Sequence, residues 1–422
     1  MNLLRFTTAG SVDDGKSTLI GRLLYDSKSV YIDQMESVER TSRRKGLDKI
    51  DFSLLSDGLK DEREQGITID VAYRYFSTPA RKFIIADTPG HIQYTRNMVT
   101  GASTADAGLI LIDARQGVVE QTRRHSFIAG LLGIPSIMVC INKMDLVDFD
   151  QKCYDQIVSD FEAVKSSCSL RDVEFIPISA LLGDNIVDPS ENMPWYSGPT
   201  LLNHLETVEI HNSTITNSFR MPIQNVIRPH SSEYHDYRGY SGRIASGKVS
   251  LGDLVTVYPS NKSSVVKGIF RGDLSLEKAL TGDSIAISLE GDIDISRGDI
   301  ICSGDAPSME AKLNATICWL DNKPQRLGSK YILRQGTNET NSMITDIKGL
   351  LNVQTLDFET SKGPLCSNEI AQISLKSTKV IVHDAYSKNR VTGSFILIDS
   401  ACLLYTSPSP RDEKVSRMPS SA

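Results

Sequence analysis

The chain has 422 residues, of which 40% are hydrophobic and 23% charged, so it has the composition of a globular protein and is too long for one hydrophobic core. Its 46 Lys and Arg against 52 Asp and Glu give a net charge of -6, which excludes a global basic field for nucleic acid or for an anionic membrane surface. No apolar stretch approaches the roughly 20 residues of a membrane-spanning helix, and the seven scattered cysteines favour a reducing, cytoplasmic compartment.

The first 208 residues alternate short apolar runs with longer helical patterns. Helices are predicted from Lys16 and over 121–132. Strands are predicted over 3–9, 82–86, 107–113, 136–141 and 174–178. Because the strands are apolar at nearly every position, they indicate a parallel sheet with helices on both faces. We therefore expect an α/β domain over residues 1–208.

After Pro199 the pattern changes to short alternating runs that are separated by Gly-Asp turns. Strands are predicted over 253–258, 265–270, 284–289, 311–320, 331–334, 370–375 and 393–398. Such spacing is typical of antiparallel sheets or barrels, and we expect two β-barrel domains, over 215–305 and 308–400. Residues 401–422 have no apolar period and are expected to be a disordered or non-native tail.

The segment 10–17 reads Gly-Ser-Val-Asp-Asp-Gly-Lys-Ser and lies between a predicted strand and a predicted helix, which is the context of the phosphate-binding P-loop. In such a loop the lysine, here Lys16, reaches the β and γ phosphates, and the hydroxyl of Ser17 binds Mg²⁺. The expected phosphate-binding residues are Gly10, Ser11, Val12, Asp13, Asp14, Gly15, Lys16, Ser17 and Thr18.

A second match to G-x-x-x-x-G-K occurs at 242–249, where Val249 stands in place of the metal-binding hydroxyl. This match lies in the β-rich region and is followed by a predicted strand. We therefore predict a hairpin turn there, with a second nucleotide site as the alternative.

Asp87, Thr88, Pro89 and Gly90 form a D-x-x-G pattern directly after the strand predicted over 82–86. A carboxylate at the carboxyl end of a parallel strand can hold Mg²⁺, and the glycine N–H can donate to a γ-phosphate. The pattern alone is a common turn, but its position after a P-loop predicts nucleotide binding.

The base of the nucleotide is indicated by two further strand ends. Asn142, Lys143, Met144 and Asp145 form N-K-x-D, whose carboxylate can accept two hydrogen bonds from guanine that adenine cannot donate. The next strand is followed by Ser179, Ala180 and Leu181, which are expected to offer a backbone N–H to guanine O6. Together these patterns predict GTP rather than ATP.

Taken in this order, the motifs resemble those of the translational GTPase class. The segment 62–70 is similar to the first switch of that class, so the resemblance implies that Thr68 is a second Mg²⁺ ligand beside Ser17 and Asp87. It also implies that His91 positions the attacking water behind an apolar gate of Val12 and Ile67. The implied catalytic residues are Lys16, Thr68 and His91, and the alternative for His91 is a solvated loop histidine.

Within that class the chain resembles the GTPase subunits of bacterial sulfate adenylyltransferases. The resemblance lies at 10–28, 87–113, 121–129, 142–148, 237–240, 294–299 and 389–399. It implies a heterodimer or higher heteromer with a catalytic ATP-sulfurylase subunit of the PP-loop type, which forms adenosine 5′-phosphosulfate and pyrophosphate while this chain hydrolyses GTP. It implies no nucleic-acid or membrane partner. Members usually continue past the stretch resembling 394–399, so the last barrel is expected to lack its closing strand.

Two other functions remain open on the sequence. One is an elongation factor that binds aminoacyl-tRNA, and the other is a stand-alone ATPase or structural protein. A basic run at 122–125 is expected to be a solvated helix face, with contact to a partner or a phosphate as the alternative.

Overall fold

The computed structural model describes residues 3–28, 36, 38, 40–43, 50, 52–55, 70–209, 218–228, 238–326, 328–360 and 363–399. Ile67 and Thr68 of the expected first switch, and the expected tail over 401–422, lie outside these ranges. None of the helices within the ranges is both long enough and apolar enough to cross a membrane.

A six-stranded sheet forms the centre of the first domain, in the order β2-β3-β1-β4-β5-β6. Its strands are β1 (Leu3–Ala9), β2 (Ala72–Ser77), β3 (Lys82–Asp87), β4 (Ala107–Asp113), β5 (Ser136–Asn142) and β6 (Asp172–Pro177). All neighbouring pairs are parallel except β2 with β3. The predicted parallel sheet is confirmed, with an unpredicted antiparallel strand at one edge. β2 escapes prediction because an edge strand with an exposed face lacks a continuous apolar run.

Strand β4 shows how the sheet separates two hydrophobic cores. Leu109 and Leu111 pack into one cluster, whereas Ile110 and Ile112 pack into the cluster on the opposite face. Successive side chains of a strand point to opposite faces, so a strand that is covered on both sides must be apolar at every position. Each of these fully buried side chains contributes about 1.5–3 kcal/mol relative to an exposed one.

Helices cover both faces of the sheet, as the sequence predicts. In the described ranges they are α1 (Lys16–Asp26), α2 (Thr95–Ala102), α3 (Glu120–Leu131), α4 (Gln151–Ser167) and α5 (Leu201–Thr207), with 3-10 turns at Phe52–Leu55, Ile92–Tyr94 and Met144–Val147. Leu19 of α1 and Leu205 of α5 pack into the first core. Ala129 of α3 and Phe161 of α4 pack into the second.

The second domain is a closed β-barrel. Its strands are β7 (Phe219–Ile227), β8 (Gly239–Arg243), β9 (Lys248–Ser250), β10 (Leu254–Tyr258), β11 (Lys262–Arg271), β12 (Leu274–Leu276), β13 (Lys278–Leu280), β14 (Ser284–Leu289) and β15 (Ile300–Ser303). Strands β10, β15, β7, β8, β14 and β11 pair in turn, and β11 pairs back to β10. The ring encloses an apolar core that includes Phe219, Val257 and Ile287, so the barrel predicted here is confirmed.

The second G-x-x-x-x-G-K match joins β8 to β9, and a strand rather than a helix follows it. The predicted hairpin is wrong, because β8 pairs with β7 and β14 while β9 pairs with β13. The connection is packed against the chain itself. Ser246 is fully buried and its Oγ donates to the Ser218 carbonyl at 2.9 Å, and a Cβ on Gly247 would lie 2.7 Å from the Phe219 nitrogen.

The third domain is a sheet in the order β16-β20-β18-β17-β21, with β19 paired to β18. Its strands are β16 (Ser308–Cys318), β17 (Lys330–Gln335), β18 (Asn338–Leu351), β19 (Phe358–Glu359), β20 (Ile370–His383) and β21 (Ile396–Ile398). No ladder within the described ranges joins β16 to β21. β18 was not predicted because polar residues of its exposed face interrupt the apolar ones.

Helix α3 packs against the third domain, and the expectation that the run 122–125 is a solvated face is wrong. Thr122 and His125 are 0% and 3% exposed. The ring of Phe127 lies 6.0 Å from the ring of Phe358 in an edge-on contact. Burial lowers the pKa of His125 to about 3, so its imidazole is neutral near pH 7.

A buried ion pair joins the second and third domains. Arg220 of β7, which is 3% exposed, donates through Nε and Nη2 to the Asp384 carboxylate at 3.0 to 3.3 Å. Arg220 also donates to the carbonyl oxygens of Ser303 and Asp305, and Thr392 Oγ1 donates to Asp384 at 2.6 Å. The two charges are therefore compensated at fixed geometry, which is the condition for burying an ion pair without a large penalty.

Candidate nucleotide-binding site

The loop over 10–15 joins β1 to α1 at the carboxyl edge of the sheet. Two of its residues have a left-handed backbone, Asp13 at φ 70° and Gly15 at φ 91°. A Cβ added to Gly15 would lie 2.5 Å from Asn142 Nδ2, so the close approach requires glycine. The loop ends at the amino terminus of α1, where backbone N–H groups without a helical partner favour an anion.

Lys16 is the first residue of α1, and its ammonium is buried. The side-chain Nζ donates to the carbonyl oxygens of Gly10 and Ser11, each at 2.8 Å. Desolvation lowers the pKa of Lys16, and the nearby carboxylates of Asp14 and Asp87 oppose that effect only in part. No carboxylate in the described part of the chain forms an ion pair with this ammonium. A buried cation that donates only to carbonyl oxygens fits an anionic phosphate partner.

Asp14 is 2% exposed and lies inside the loop, where its Oδ2 accepts the backbone N–H of Ser11. Burial raises the pKa of Asp14 to about 6, although Lys16 and the hydrogen bond from Ser11 act in the opposite direction. Because the Asp14 carboxyl group is poorly hydrated, its charged form lowers the stability of the folded protein.

Strand β3 brings Asp87 to the strand end next to the loop. Its carboxylate is 2% exposed and accepts a hydrogen bond from Thr8 Oγ1 at 3.1 Å. Thr88 Oγ1 donates to the carbonyl oxygen of Thr8, which fixes the start of the D-x-x-G turn. A Cβ added to Gly90 would lie 2.4 Å from the Gly10 carbonyl oxygen and 2.5 Å from Lys16 Nζ, and since the backbone oxygen cannot give way, only glycine allows this close approach.

His91 follows Gly90 and is exposed to solvent. Its Nδ1 accepts the backbone N–H of Gln93 at 3.3 Å, and its ring lies 6.2 Å from the ring of Tyr94. The structure therefore places His91 beside the D-x-x-G turn with its side chain in the solvated position that the sequence left as the alternative.

Asn142 links the phosphate-binding loop to the loop after β6. Its Nδ2 donates to the Asp14 carbonyl oxygen at 2.7 Å, and its Oδ1 accepts the backbone N–H of Ala180 at 2.9 Å. The side chain is 1% exposed. The ends of β1, β5 and β6 are thus held at one spacing by a single amide.

Asp145 and Ser179 lie together on the base side of the site. Ser179 Oγ donates to Asp145 Oδ1 at 2.7 Å, while Oδ2 accepts no hydrogen bond from any residue in the described ranges. A carboxylate with acceptor capacity left over can receive the N1–H and 2-amino groups of guanine. Met144, which precedes Asp145, is fully buried in the second core, and Leu181 is 41% exposed.

Asp113, at the end of β4, belongs to the site although none of the motifs includes it. Its buried carboxylate accepts hydrogen bonds from Arg115 and, at 3.0 Å, from Lys143 Nζ, which also donates to the Asp13 carbonyl oxygen. Burial alone would raise the pKa of Asp113, but these hydrogen bonds outweigh it and lower the pKa to about 2. The one signal in the sequence is an acidic residue that ends a strand of otherwise apolar residues.

The remaining predicted residues complete the same edge of the sheet. Ser17 and Thr18 are half-buried in the first turn of α1, Val12 is half-buried in the loop, and Pro89 is buried. A serine hydroxyl in the first turn of α1 and an aspartate at the end of β3 form an oxygen donor set of the kind that Mg²⁺ prefers, so Ser17 and Asp87 fit that ion. Thr68, the third predicted ligand, lies outside the described residues.

The loop, the buried lysine and the base-side carboxylate define a GTP-binding domain of the elongation factor Tu class. In agreement, the family model described as "Elongation factor Tu GTP binding domain" matches residues 1–217, and the model "GTP-eEF1A C-terminal domain-like" matches residues 312–403. The fold class predicted from the sequence is confirmed.

The chain belongs to the sulfate adenylyltransferase subunit 1 family. It is 49% identical to sulfate adenylyltransferase subunit 1 of Bacteroides thetaiotaomicron, over 94% of this chain and 84% of that protein. It is 51% identical to the protein of the same name from Aliarcobacter butzleri, with the same coverage. The bifunctional enzyme CysN/CysC of Mycobacterium tuberculosis is 50% identical, and the chain spans 65% of its length. The resemblance inferred from the motifs is confirmed.

The name subunit 1 marks these relatives as parts of a multi-subunit enzyme. Among solved structures, Sup35 in complex with GMPPNP is 24% identical over 94% of this chain and 91% of that chain, with a TM-score of 0.41. A likeness at that level adds nothing to the assignment.

Asp14→Asn should stabilise the nucleotide-free protein above about pH 6. The folded state binds the Asp14 proton more tightly than the unfolded state, so the wild-type chain loses stability as the pH rises from about 4 to 6. A shift of about two units corresponds to at most about 3 kcal/mol, and the variant escapes this cost.

The measurement is the melting temperature of both proteins in EDTA from pH 5 to pH 8. We expect the variant to gain about 3 °C or more at pH 8 and less at pH 5. Asp13→Asn, which removes a charge from an exposed residue of the same loop, is the control. Equal curves for the variant and the wild type would contradict the pKa shift of Asp14.

Proposed function

We propose that the chain binds GTP with Mg²⁺ and hydrolyses it as the GTPase subunit of a sulfate adenylyltransferase. In this role it couples GTP hydrolysis to the synthesis of adenosine 5′-phosphosulfate and pyrophosphate from ATP and sulfate. The single observation that carries the nucleotide assignment is the Asn142 amide, which joins the phosphate loop to the base-side loop. Family membership supports the sulfate-activating reaction.

The phosphate side of the mechanism rests on Lys16. Its buried ammonium donates to the β and γ phosphates in place of the loop carbonyls that it contacts in the structure. Ser17, Thr68 and Asp87 would hold Mg²⁺, which would neutralise charge on the phosphate chain. Gly90 offers its backbone N–H to the γ-phosphate, since it is the residue of its turn that lies against Lys16.

The hydrolytic water is positioned by His91 in this proposal. The imidazole is exposed in the structure and lies one residue after Gly90. A rotation of its side chain towards the γ-phosphate, past the gate of Val12 and Ile67, brings it to the reacting water. The role proposed for His91 therefore requires a side-chain rotation from the exposed position that it has in the structure.

The base side gives the site its selectivity. Asp145, oriented by Ser179, accepts the N1–H and 2-amino groups of guanine. Adenine lacks this pair of donors, so a bound ATP would leave the carboxylate without its partners. The loop of Ser179, Ala180 and Leu181 closes over the base edge, and Lys143 lies alongside the loop that holds the phosphates.

The partner in this proposal is a catalytic ATP-sulfurylase subunit of the PP-loop type, in a cytoplasmic heterodimer or larger heteromer. Formation of the phosphosulfate anhydride is uphill, so GTP hydrolysis must bias the partner differently in its two nucleotide states. The elements near Thr68 and Asp87 are the ones that contact the γ-phosphate and carry this bias.

The test is GTP hydrolysis by the purified chain with and without the catalytic subunit, ATP and sulfate. We expect turnover to rise only when all three are present, with adenosine 5′-phosphosulfate formed in the same reaction. Omission of each component in turn is the control. Turnover that ignores these additions and rises with ribosomes would instead favour a function in translation.

Asp145→Asn should shift the preference from GTP towards xanthosine triphosphate. The amide donates where the carboxylate accepts, and the 2-oxo group of xanthine provides the matching acceptor. Competition of the two nucleotides for binding measures the shift. Asp148→Asn, in the exposed part of the same loop, is the matched control, and an unchanged GTP preference in Asp145→Asn would rule out the base assignment.

His91→Ala should slow single-turnover GTP hydrolysis by about 10² or more while GTP binding is retained, because only the positioned water is lost. Gln93→Ala, at an exposed neighbour, is the control and should hydrolyse GTP at the wild-type rate. Wild-type hydrolysis by His91→Ala would show that another group positions the water.

A further inference from the structure

The side chain of Lys143 bridges two parts of the nucleotide site. Lys143 follows β5 with a left-handed φ of 65°, which is uncommon for a residue other than glycine. Its Nζ donates to the carbonyl oxygen of Asp13 in the phosphate loop. A Cβ on Gly15 would lie 4.0 Å from Lys143 Cε, so the aliphatic part of the side chain runs beside that loop.

Asp113 anchors the other side of the same ammonium. Its Oδ2 accepts from Lys143 Nζ at 3.0 Å and from Arg115 Nη2 at 2.6 Å. Its Oδ1 accepts from the Arg115 backbone N–H and from Arg115 Nε, each at 3.0 Å. Four donors therefore saturate a carboxylate whose side chain is 0% exposed.

The three charged residues differ in exposure, and so in what each can do. The side chains of Lys143 and Arg115 are 22% and 48% exposed. Asp113 cannot leave its place without losing its charged hydrogen bonds to Arg115 and Lys143. Arg115 covers the carboxylate from the solvent side, and Lys143 is the member that reaches the phosphate loop.

We propose that Asp113 is a positioning residue for guanine nucleotide, which holds Lys143 against the Asp13 carbonyl and thereby sets the rate of GDP release. The inference rests on the proposed assignment of this pocket to GTP. Loss of the anchor lets the Lys143 side chain leave the phosphate loop, so the loop and the base side separate more readily. Arg115 acts through Asp113, because it completes the carboxylate's hydrogen bonds.

The proposal separates Asp113 from the residues that read the base. In the structure Lys143 bonds to a loop carbonyl and to Asp113, and Asp145 is the carboxylate on the base side. Asp113→Asn should therefore weaken the binding of GTP, GDP and inosine nucleotides by the same factor. Asp145→Asn should change their order.

The test is dissociation of tritiated GDP from the full-length chain after addition of excess unlabelled GDP. We expect Asp113→Asn and Lys143→Ala each to speed release about tenfold or more, since each breaks a charge-assisted hydrogen bond. Arg115→Ala should speed it about threefold, as expected for loss of a half-exposed partner. Lys165→Ala, which breaks the exposed ion pair with Glu162 on α4, should leave the rate unchanged.

The double variant Asp113→Asn/Lys143→Ala decides whether Asp113 acts through Lys143. We expect it to release GDP within about twofold of Lys143→Ala alone, because the anchor has no effect once the lysine is gone. A double variant whose effect equals the product of the single effects would overturn the proposal. So would wild-type release by Asp113→Asn.

Melting temperatures in EDTA report whether each variant folds. If Asp113→Asn does not fold, Arg115→Ala and Arg115→Ala/Lys143→Ala form the same cycle and decide the question in the same way. The wild-type measurement comes first, because it separates the two failures. A wild-type chain that binds no GDP would contradict the proposed function and this proposal with it. A wild-type chain that binds GDP, with a variant Asp113→Asn that releases it at the wild-type rate, would contradict this proposal alone.

Discussion

The nucleotide site depends on the buried amide of Asn142. This side chain donates to the phosphate loop and accepts from the loop after β6, so one group sets the spacing of three strand ends. Loss of either hydrogen bond would leave a buried polar group unpaired, at a cost of about 1–3 kcal/mol. Gly15 is part of the same constraint, since any Cβ there would meet the amide. The loop over 10–15 and the loop after β6 are therefore geometrically linked.

The buried charged residues around that amide differ in how fully hydrogen bonds and opposite charges compensate them. Asp113 is saturated by donors and keeps a low pKa, whereas Asp14 is buried with little compensation and has a raised one. Lys16 is a buried cation whose hydrogen bonds go to carbonyl oxygens. In the proposed function a phosphate chain would supply the anionic partner of Lys16, and the folded chain already holds the ammonium in place for it.

The sequence predicts best those parts whose physics is local. β1 and β4 have the predicted bounds, because burial on both faces makes nearly every residue apolar or small, the exceptions being the exposed Arg5 of β1 and Asp113 at the end of β4. The P-loop and the Asn142 to Asp145 motif were found because each combines a fixed spacing with a position at a strand end. The role of Asp113 could not be predicted, since it depends on Lys143, which lies 30 residues further along the chain. The face of α3 was mispredicted because another domain, not solvent, covers it.

The third domain is joined to the second domain and to α3 by contacts of different composition. Its joint to the second domain contains the Arg220 and Asp384 pair, whose directional hydrogen bonds hold at one relative position only. Its joint to α3 contains the apolar contact of Phe127 with Phe358, and dispersion attraction changes little as one ring shears past the other. The third domain also donates directional hydrogen bonds to the first domain, from Tyr386 Oη to the Leu132 carbonyl oxygen at the end of α3 and from Arg390 Nη2 to the Ser103 carbonyl oxygen, so a shearing force on the third domain is resisted on both sides.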